Sequence, residues 1–384
     1  MLQGRSCPLM KVAIDVHSIG AQAGGNETFY RQLLQGLTED KSPNSYTLFH
    51  THAHAPSLVK VDERFKWVRI PRNPIIRISF ALPALLRELK PDVFHCQYIL
   101  PPRVKCKTIV TIHDLAHERY PQFSPHMEGV RMRKLVPRSA RLADHIITVS
   151  EYSANDLVSV YGVSRGKITV AYQAPSPRFK PGNKLDAQKE LKAKYGISSP
   201  FLLYVGRLQV RKNLVRLVEA FARVRTKHPD LKLVLVGKPD LHYEQLLAKV
   251  DELAVKEAVL FPGYIASDDL PVFYNAAEIF VFPSIFEGFG LPVMESMASG
   301  VPTITSRGSC LEEIAGDGAL LIDPLSVGSI TAAIASVLEN SDLRCDLIAH
   351  GLRRSACFST AAFAAKVLDV YRSLSGKPPN DVPS

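Results

Sequence analysis

Glu287 and Glu295 flank a glycine-rich turn, Glu287-Gly288-Phe289-Gly290-Leu291-Pro292-Val293-Met294-Glu295. Carboxylates beside a glycine elbow suit a ligand rich in hydroxyls, because Gly288 and Gly290 let it approach the backbone closely. Pro292 fits the first helical position. Glu295 is therefore expected in a first helical turn, beside N–H groups that attract phosphate. An acidic loop followed by an ordinary first-turn Glu is the plain alternative. Earlier in the chain, Gly206-Arg207-Leu208-Gln209-Val210-Arg211-Lys212-Asn213 places Arg207 and Lys212 between a strand and a helix. Arg grips phosphate oxygens bidentately and Lys acts as a point charge, so the pair suits a diphosphate, with a solvated basic turn as the alternative. Next to a diphosphate, Glu295 becomes the natural acceptor for ribose hydroxyls. Glu287 and the backbone of Gly288, Phe289, Gly290 and Leu291 would then face a sugar and its phosphate.

The elements that must hold these residues alternate between strand and helix, which predicts parallel sheets covered on both faces. Strands are expected at Val12–Val16, Asp92–His95, Thr108–Ile112 and His145–Val149, with a helix near Glu27–Leu37 capped by Asn26 and another at Glu151–Tyr161 closed by Gly162. A Pro- and Gly-rich stretch follows. The pattern then restarts with strands Phe201–Val205, Leu231–Val236, Ala258–Phe261, Ile279–Phe282 and Val301–Thr305. Helices are expected between them at Asn213–Arg225, Tyr243–Leu253 and Leu270–Ala276, and a last one at Thr360–Leu374. This predicts an α/β chain of two doubly wound Rossmann-like domains facing across a cleft. Its parts are an extension 1–9, a domain 10–175, a linker 176–185, a domain 186–358, a helix 359–376 packing back on the first domain, and a tail 377–384.

Composition narrows the class. The 384 residues are 46% hydrophobic, too apolar for a disordered chain, and hold no run long enough to span a membrane. The first ten residues lack the apolar core of a secretory signal. Six cysteines without zinc or redox spacing read as free, mostly buried thiols in a reducing cytosol. Residues 1–175 hold 23 Lys and Arg against 14 Asp and Glu, so nearly all of the +10 net charge sits in that half. An anionic partner is implied for it. Trp67–Phe80 mixes cations with apolar residues and has no acid, and Arg131, Arg133, Lys134, Arg138 and Arg141 form a second cluster. They suit docking on anionic lipid or a plain solvated face. No aromatic-basic nucleic-acid module is present.

The combination of Gly206-Arg207, Lys212-Asn213 and the Glu287 to Glu295 segment resembles the family 4 retaining glycosyltransferases of GT-B fold. The resemblance covers nearly the whole chain. It implies that Arg207 and Lys212 bind a donor diphosphate and that Glu287 and Glu295 serve the sugar and ribose. His113, in Thr111-Ile112-His113-Asp114, would contact the donor sugar, against the plain reading of a packing histidine. Asp114 would lie on the acceptor side or simply cap a loop. Gly24 and Gly25 resemble the family's glycine loop near the diphosphate and acceptor. Tyr264 and Ile265 would flank the base. Many relatives carry Asn-Gly-Val/Ile-Asp before the linker, whereas this chain reads Tyr172-Gln173-Ala174-Pro175. An Ala-Pro version resembles bacterial surface-polysaccharide enzymes that use GDP-mannose. The resemblance thus implies a hexosyltransferase moving mannose, with retention and without metal or cofactor, from GDP-mannose to a glycan or lipid-linked acceptor. The leaving phosphate would assist front-side attack. A cytoplasmic enzyme, peripheral on the inner face of the membrane, is the expected setting. The alternatives are a GT-B enzyme using a UDP- or dTDP-sugar (a glucosyl or rhamnosyl transferase or an epimerase), or a non-catalytic nucleotide-sugar-binding subunit.

Overall fold

The computed structural model describes residues 10–22, 24–123, 126–198, 200–240 and 242–376, and the expectations for 1–9 and 377–384 lie outside them. The chain forms two compact units. One runs to Gln173 and takes back the chain from Ser359; the other is Ala174–Phe358.

In the first unit seven parallel strands, β1 (Lys11–Asp15), β2 (Ser45–His50), β3 (Phe65–Arg69), β4 (Val93–Gln97), β5 (Lys107–Thr111), β6 (His145–Thr148) and β7 (Ile168–Val170), lie in the order β3-β2-β1-β4-β5-β6-β7. The order reverses between β1 and β4, the place where doubly wound sheets receive ligands. β4 is buried along its whole length, as expected of a strand covered on both faces. On one face the Gly25–Glu39 helix meets the Thr360–Ser375 helix so closely that a Cβ on Gly36 would lie 2.2 Å from that of Ala364. On the other, Leu82, Leu86, Val136, Ala140 and Leu157 share one core with Phe94, Val110 and Ile146.

The second unit has six parallel strands, β8 (Phe201–Val205), β9 (Lys232–Val236), β10 (Val259–Gly263), β11 (Ile279–Phe282), β12 (Thr303–Ser306) and β13 (Leu320–Ile322), ordered β10-β9-β8-β11-β12-β13. Its switch falls between β8 and β11. The loops that follow these two strands are therefore neighbours, although far apart in sequence.

Several local expectations are corrected. The first helix begins at Gly25 with Gly24 as its cap at φ 59°, so Asn26 lies inside the helix and does not cap it. β12 starts at Thr303, because Pro302 has no N–H to give a ladder. A helix, Lys184–Tyr195, occupies the last two positions of the expected linker; Asn183 caps it by accepting from the N–H of Asp186. The thiols are not mostly buried: of the five described, Cys96 and Cys310 are buried, while Cys345 and Cys357 are exposed.

Candidate functional site

The site of the second unit grows from β8 and β11, whose residues are all buried. After β8 the chain forms a short turn, Val210–Lys212, and reaches Asn213 in the left-handed region at φ 62°. The Asn213 amide donates to the carbonyls of Pro283 (3.1 Å) and Pro324 (2.6 Å). The Ile285 N–H donates to Arg211 O (2.9 Å), and the Arg211 guanidinium donates to Phe286 O (2.7 Å). These bonds stitch the basic loop onto the acidic one.

Glu287 lies at the seam and is 7% exposed. Its carboxylate meets Lys212 Nζ at 2.5 Å and Arg211 Nη1 at 3.0 Å. Burial alone would raise its pKa, but Arg211 and Lys212 hold it down to about 2. Lys212 also stands 5.1 Å over the ring of Phe282, at the end of β11, and is 8% exposed. The site is a largely desolvated pair of cations only half balanced by one carboxylate, which leaves one positive charge in excess. Groups of this kind are worth far more toward an anionic ligand than their exposed counterparts.

Beyond Glu287 the backbone turns through Gly290, at φ 112°, where a Cβ would strike Leu311 at 2.5 Å. Only glycine fits there. The thiol of Cys310, at the start of the helix Cys310–Ala315, lies 3.0 Å from Glu287 O and 3.3 Å from Phe289 O and braces the elbow. The helix Leu291–Ala298 follows with Pro292 at its second position, so Glu295 falls in the second turn and not the first. Tyr274, itself fully buried, donates its hydroxyl to Glu295 at 3.0 Å. Burial pushes the Glu295 carboxyl up to about 7, against the lowering pull of this hydrogen bond and of the Arg178 charge.

The structure therefore brings Lys212, Glu287, Gly288, Gly290 and Leu291 together, with Glu295 on the next helix. It does not bring Arg207 to Glu287. Arg207 is half-exposed and pairs with Asp240 at 3.2 Å. Arg211, one residue before Lys212, takes the place beside Glu287; its only signal in the sequence was adjacency to Lys212. Phe289 is buried and packs edge-on against Phe358. After β10, Ile265 is buried, while Tyr264 is 55% exposed with Lys238 5.0 Å over its ring.

In the first unit His113 follows β5 and is buried. Its Nε2 lies 2.9 Å from the amide of Gln97, which also donates to Asn26 O at 3.0 Å. Phe29 meets the imidazole edge-on at 5.0 Å. Burial lowers its pKa to about 4, so the ring is neutral at physiological pH. Gln97, His113 and the start of the Gly24-Gly25 helix thus meet at the β1/β4 switch; Gln97 had no signal in the sequence. Asp114 accepts from the N–H of Ala116 at 2.9 Å, a local turn bond.

Comparison with known proteins gives this arrangement a setting. Residues 187–354 match the family described as glycosyl transferases group 1, and residues 23–174 match glycosyltransferase family 4. The O-antigen chain mannosyltransferase B of Escherichia coli is 30% identical over 295 residues, covering 75% of this chain and 76% of that protein. The serotype-specific mannosyltransferase WbdA of the same organism is 28% identical, and the match spans 34% of its length. Among solved structures, the sucrose-phosphate synthase of Thermosynechococcus elongatus superposes with a TM-score of 0.79 at 24% identity, covering 96% of this chain and 99% of that one. Anabaena HepE in complex with UDP and glucose gives 0.77 at 16% identity, with 95% and 100% coverage. These likenesses give the two parallel sheets the GT-B architecture.

Proposed function

The chain belongs to the family 4 glycosyltransferases, and on that premise we propose that it transfers mannose from GDP-mannose to a hydroxyl of a glycan or lipid-linked acceptor, with retention and without a metal ion. That it is an enzyme of the hexosyltransferase kind follows from the family. The observation that carries the reading is the Lys212–Glu287–Arg211 cluster at the β8/β11 switch, with Glu295 on the following helix. It supports a site that takes a diphosphate against cations and a ribose against a carboxylate.

In the proposed reaction the bond from the anomeric carbon to the donor diphosphate breaks, and a bond to the acceptor oxygen forms on the same face. The acceptor's proton passes to the departing phosphate oxygen. Charge grows on that diphosphate, and Lys212, Arg211 and Arg207 stabilise it as preorganised cations. Glu295 accepts the ribose hydroxyls, Glu287 faces the sugar, and neutral His113 contacts it. The Gly24-Gly25 start of the first helix serves the acceptor side, and Tyr264 and Ile265 flank the base. Mannose is supported by the mannosyltransferase relatives, and GDP-mannose by the Ala174-Pro175 stretch alone. The working place is the inner face of the cytoplasmic membrane; among the described residues no helix is long and apolar enough to cross it.

A thermal-shift and hydrolysis screen over GDP-, UDP- and dTDP-sugars tests the donor, since a bound ligand raises apparent stability. GDP-mannose should give the largest shift, and a larger one from a UDP- or dTDP-sugar overturns the donor assignment. Transfer should persist in EDTA. Complete loss restored by a divalent ion overturns the metal-free mechanism.

A further inference from the structure

Two surface features of the first unit are left unused by the transfer reaction, and both lie over one face of its sheet. The first is the segment Pro74–Leu89, a nearly continuous helix with a π turn at Arg77–Ala81. The wider turn splits its side chains. Arg77 points inward, 8% exposed, with Nε 3.9 Å from the Asp15 carboxylate at the end of β1. Ile75, Ile76 and Phe80 point outward and are 68%, 48% and 68% exposed. Lys66, Arg69, Arg72 and Arg87 of the same stretch are exposed, and no acid occurs from Phe65 to Arg87; Glu88, also exposed, is the one acid of the segment and lies at its far end. The second feature is the helix His126–Leu142. Arg131, Lys134, Arg138 and Arg141 recur at helical spacing on its outer side, between the exposed Met127 and Leu142.

The shared core settles how the two relate. Leu82 and Leu86 of the first segment and Val136 and Ala140 of the second are buried in the same cluster. Both helices therefore cover the same face of the sheet and present their outer sides together. A solvated basic face explains the cations. It does not explain three large apolar side chains left open on adjacent turns among them, because lone exposed hydrophobics are common and a clustered set marks an interaction surface.

We infer that this face docks on an anionic lipid bilayer, with Ile75, Ile76 and Phe80 entering the headgroup boundary and the basic stripe of His126–Leu142 lying along the lipid phosphates. The inference rests on the peripheral-enzyme reading above and names the surface responsible. Charge selects the occupant: across Phe65–Leu89 and His126–Leu142 cations far outnumber the two acids, Glu88 and Glu128, and an apolar wedge among such cations complements anionic lipid.

The test is co-sedimentation of the full chain with vesicles of phosphatidylcholine, with and without phosphatidylglycerol. Binding should require phosphatidylglycerol and fade between 0.1 and 1 M salt, as the screening length falls from about 10 Å to about 3 Å. The variant Ile75→Ser/Ile76→Ser/Phe80→Ser should bind at least roughly tenfold more weakly per side chain removed from lipid. Arg131→Gln/Lys134→Gln/Arg138→Gln should lose about fivefold per charge. Trp67 is the chain's single tryptophan, so in Trp67→Phe/Phe80→Trp the introduced indole should be quenched by brominated lipid. This last variant keeps an apolar residue in place and does not depend on the serine variant folding. Absence of vesicle binding by the unaltered chain overturns both the peripheral reading and this one. Binding that survives in all variants, with the indole unquenched, overturns only the surface assigned here. A dimer that the serine variant dissociates, with vesicle binding unchanged, shows the face to be a contact between two copies and overturns it as well.

Discussion

Donor affinity should rise with pH through neutrality, and Glu295 sets the size of the effect. Its carboxyl stands at about 7 because burial raises it by more than the Tyr274 hydroxyl and the Arg178 charge lower it. Ribose hydroxyls donate best to the ionised form. A carboxyl titrating near 7 is about one-tenth ionised at pH 6 and about nine-tenths at pH 8, so GDP-mannose should bind about tenfold more tightly at pH 8, or about 1.4 kcal/mol. The sugar nucleotide is the right ligand because its diphosphate, esterified at both ends, lacks the ionisation near pH 6 of a terminal phosphate. Titration calorimetry at pH 6, 7 and 8 measures the effect. Glu295→Gln should bind weakly and independently of pH. Tyr274→Phe removes the bond that holds the pKa down, so it should move the inflexion to higher pH. A flat profile in the unaltered protein, or unchanged affinity in Glu295→Gln, refutes the assignment of Glu295 to ribose.

Other outcomes follow from the same groups. Glu287 is depressed to about 2, so its contribution to stability is present above the ordinary value of 4.5 and is lost as pH falls toward 2. Melting curves between pH 5 and 2.5 should show about 2 kcal/mol of that loss, and Glu287→Gln should flatten it. Glu295 works in the opposite sense: its pKa is raised, so folding costs more as pH climbs from 4.5 to 7, and Glu295→Gln should remove that slope. Arg207→Met and Arg211→Met should each raise the donor KM, but only the Arg211 variant should shift the acid melting, because Arg211 alone of the two touches Glu287. His113→Ala should lower kcat by roughly 10²-fold, and the unaltered enzyme should show no inflexion from His113 between pH 5 and 8, since the ring is already neutral there.

The buried strands were legible because they are short apolar runs bounded by breakers, and β8 and β11 fall on the expected residues. β2, β3, β7 and β13 were not expected. β3, β7 and β13 are edge strands, whose half-covered residues carry a weaker pattern than the central ones. Tyr46, Leu48 and Phe49 of β2 are as buried as any residue of the core. What hid β2 is Thr47 within the apolar run and His50 at its end, which cut it short. The Lys184–Tyr195 helix escaped for a related reason. Leu191 is its one buried residue, and its other leucine, Leu185, is exposed among charged neighbours, so it has little apolar periodicity to read.

The site shows a sharper limit. Glycine at position 290 is demanded by its own backbone and by Leu311, and the motif showed it. Which cation meets Glu287 is decided elsewhere. The Val210–Lys212 turn, the left-handed Asn213 and the amide bonds to Pro283 and Pro324 set the angle at which the basic loop crosses the acidic one. That angle places Arg211 and Lys212 on the carboxylate and leaves Arg207 with Asp240. Spacing along the chain carries no information about it, because the partners belong to separate loops joined only by the strand order. The same holds for Gln97 on His113. The chemistry of the site can be named from residue types, but its pairing comes from topology: two loops become neighbours only once β8 and β11 lie side by side.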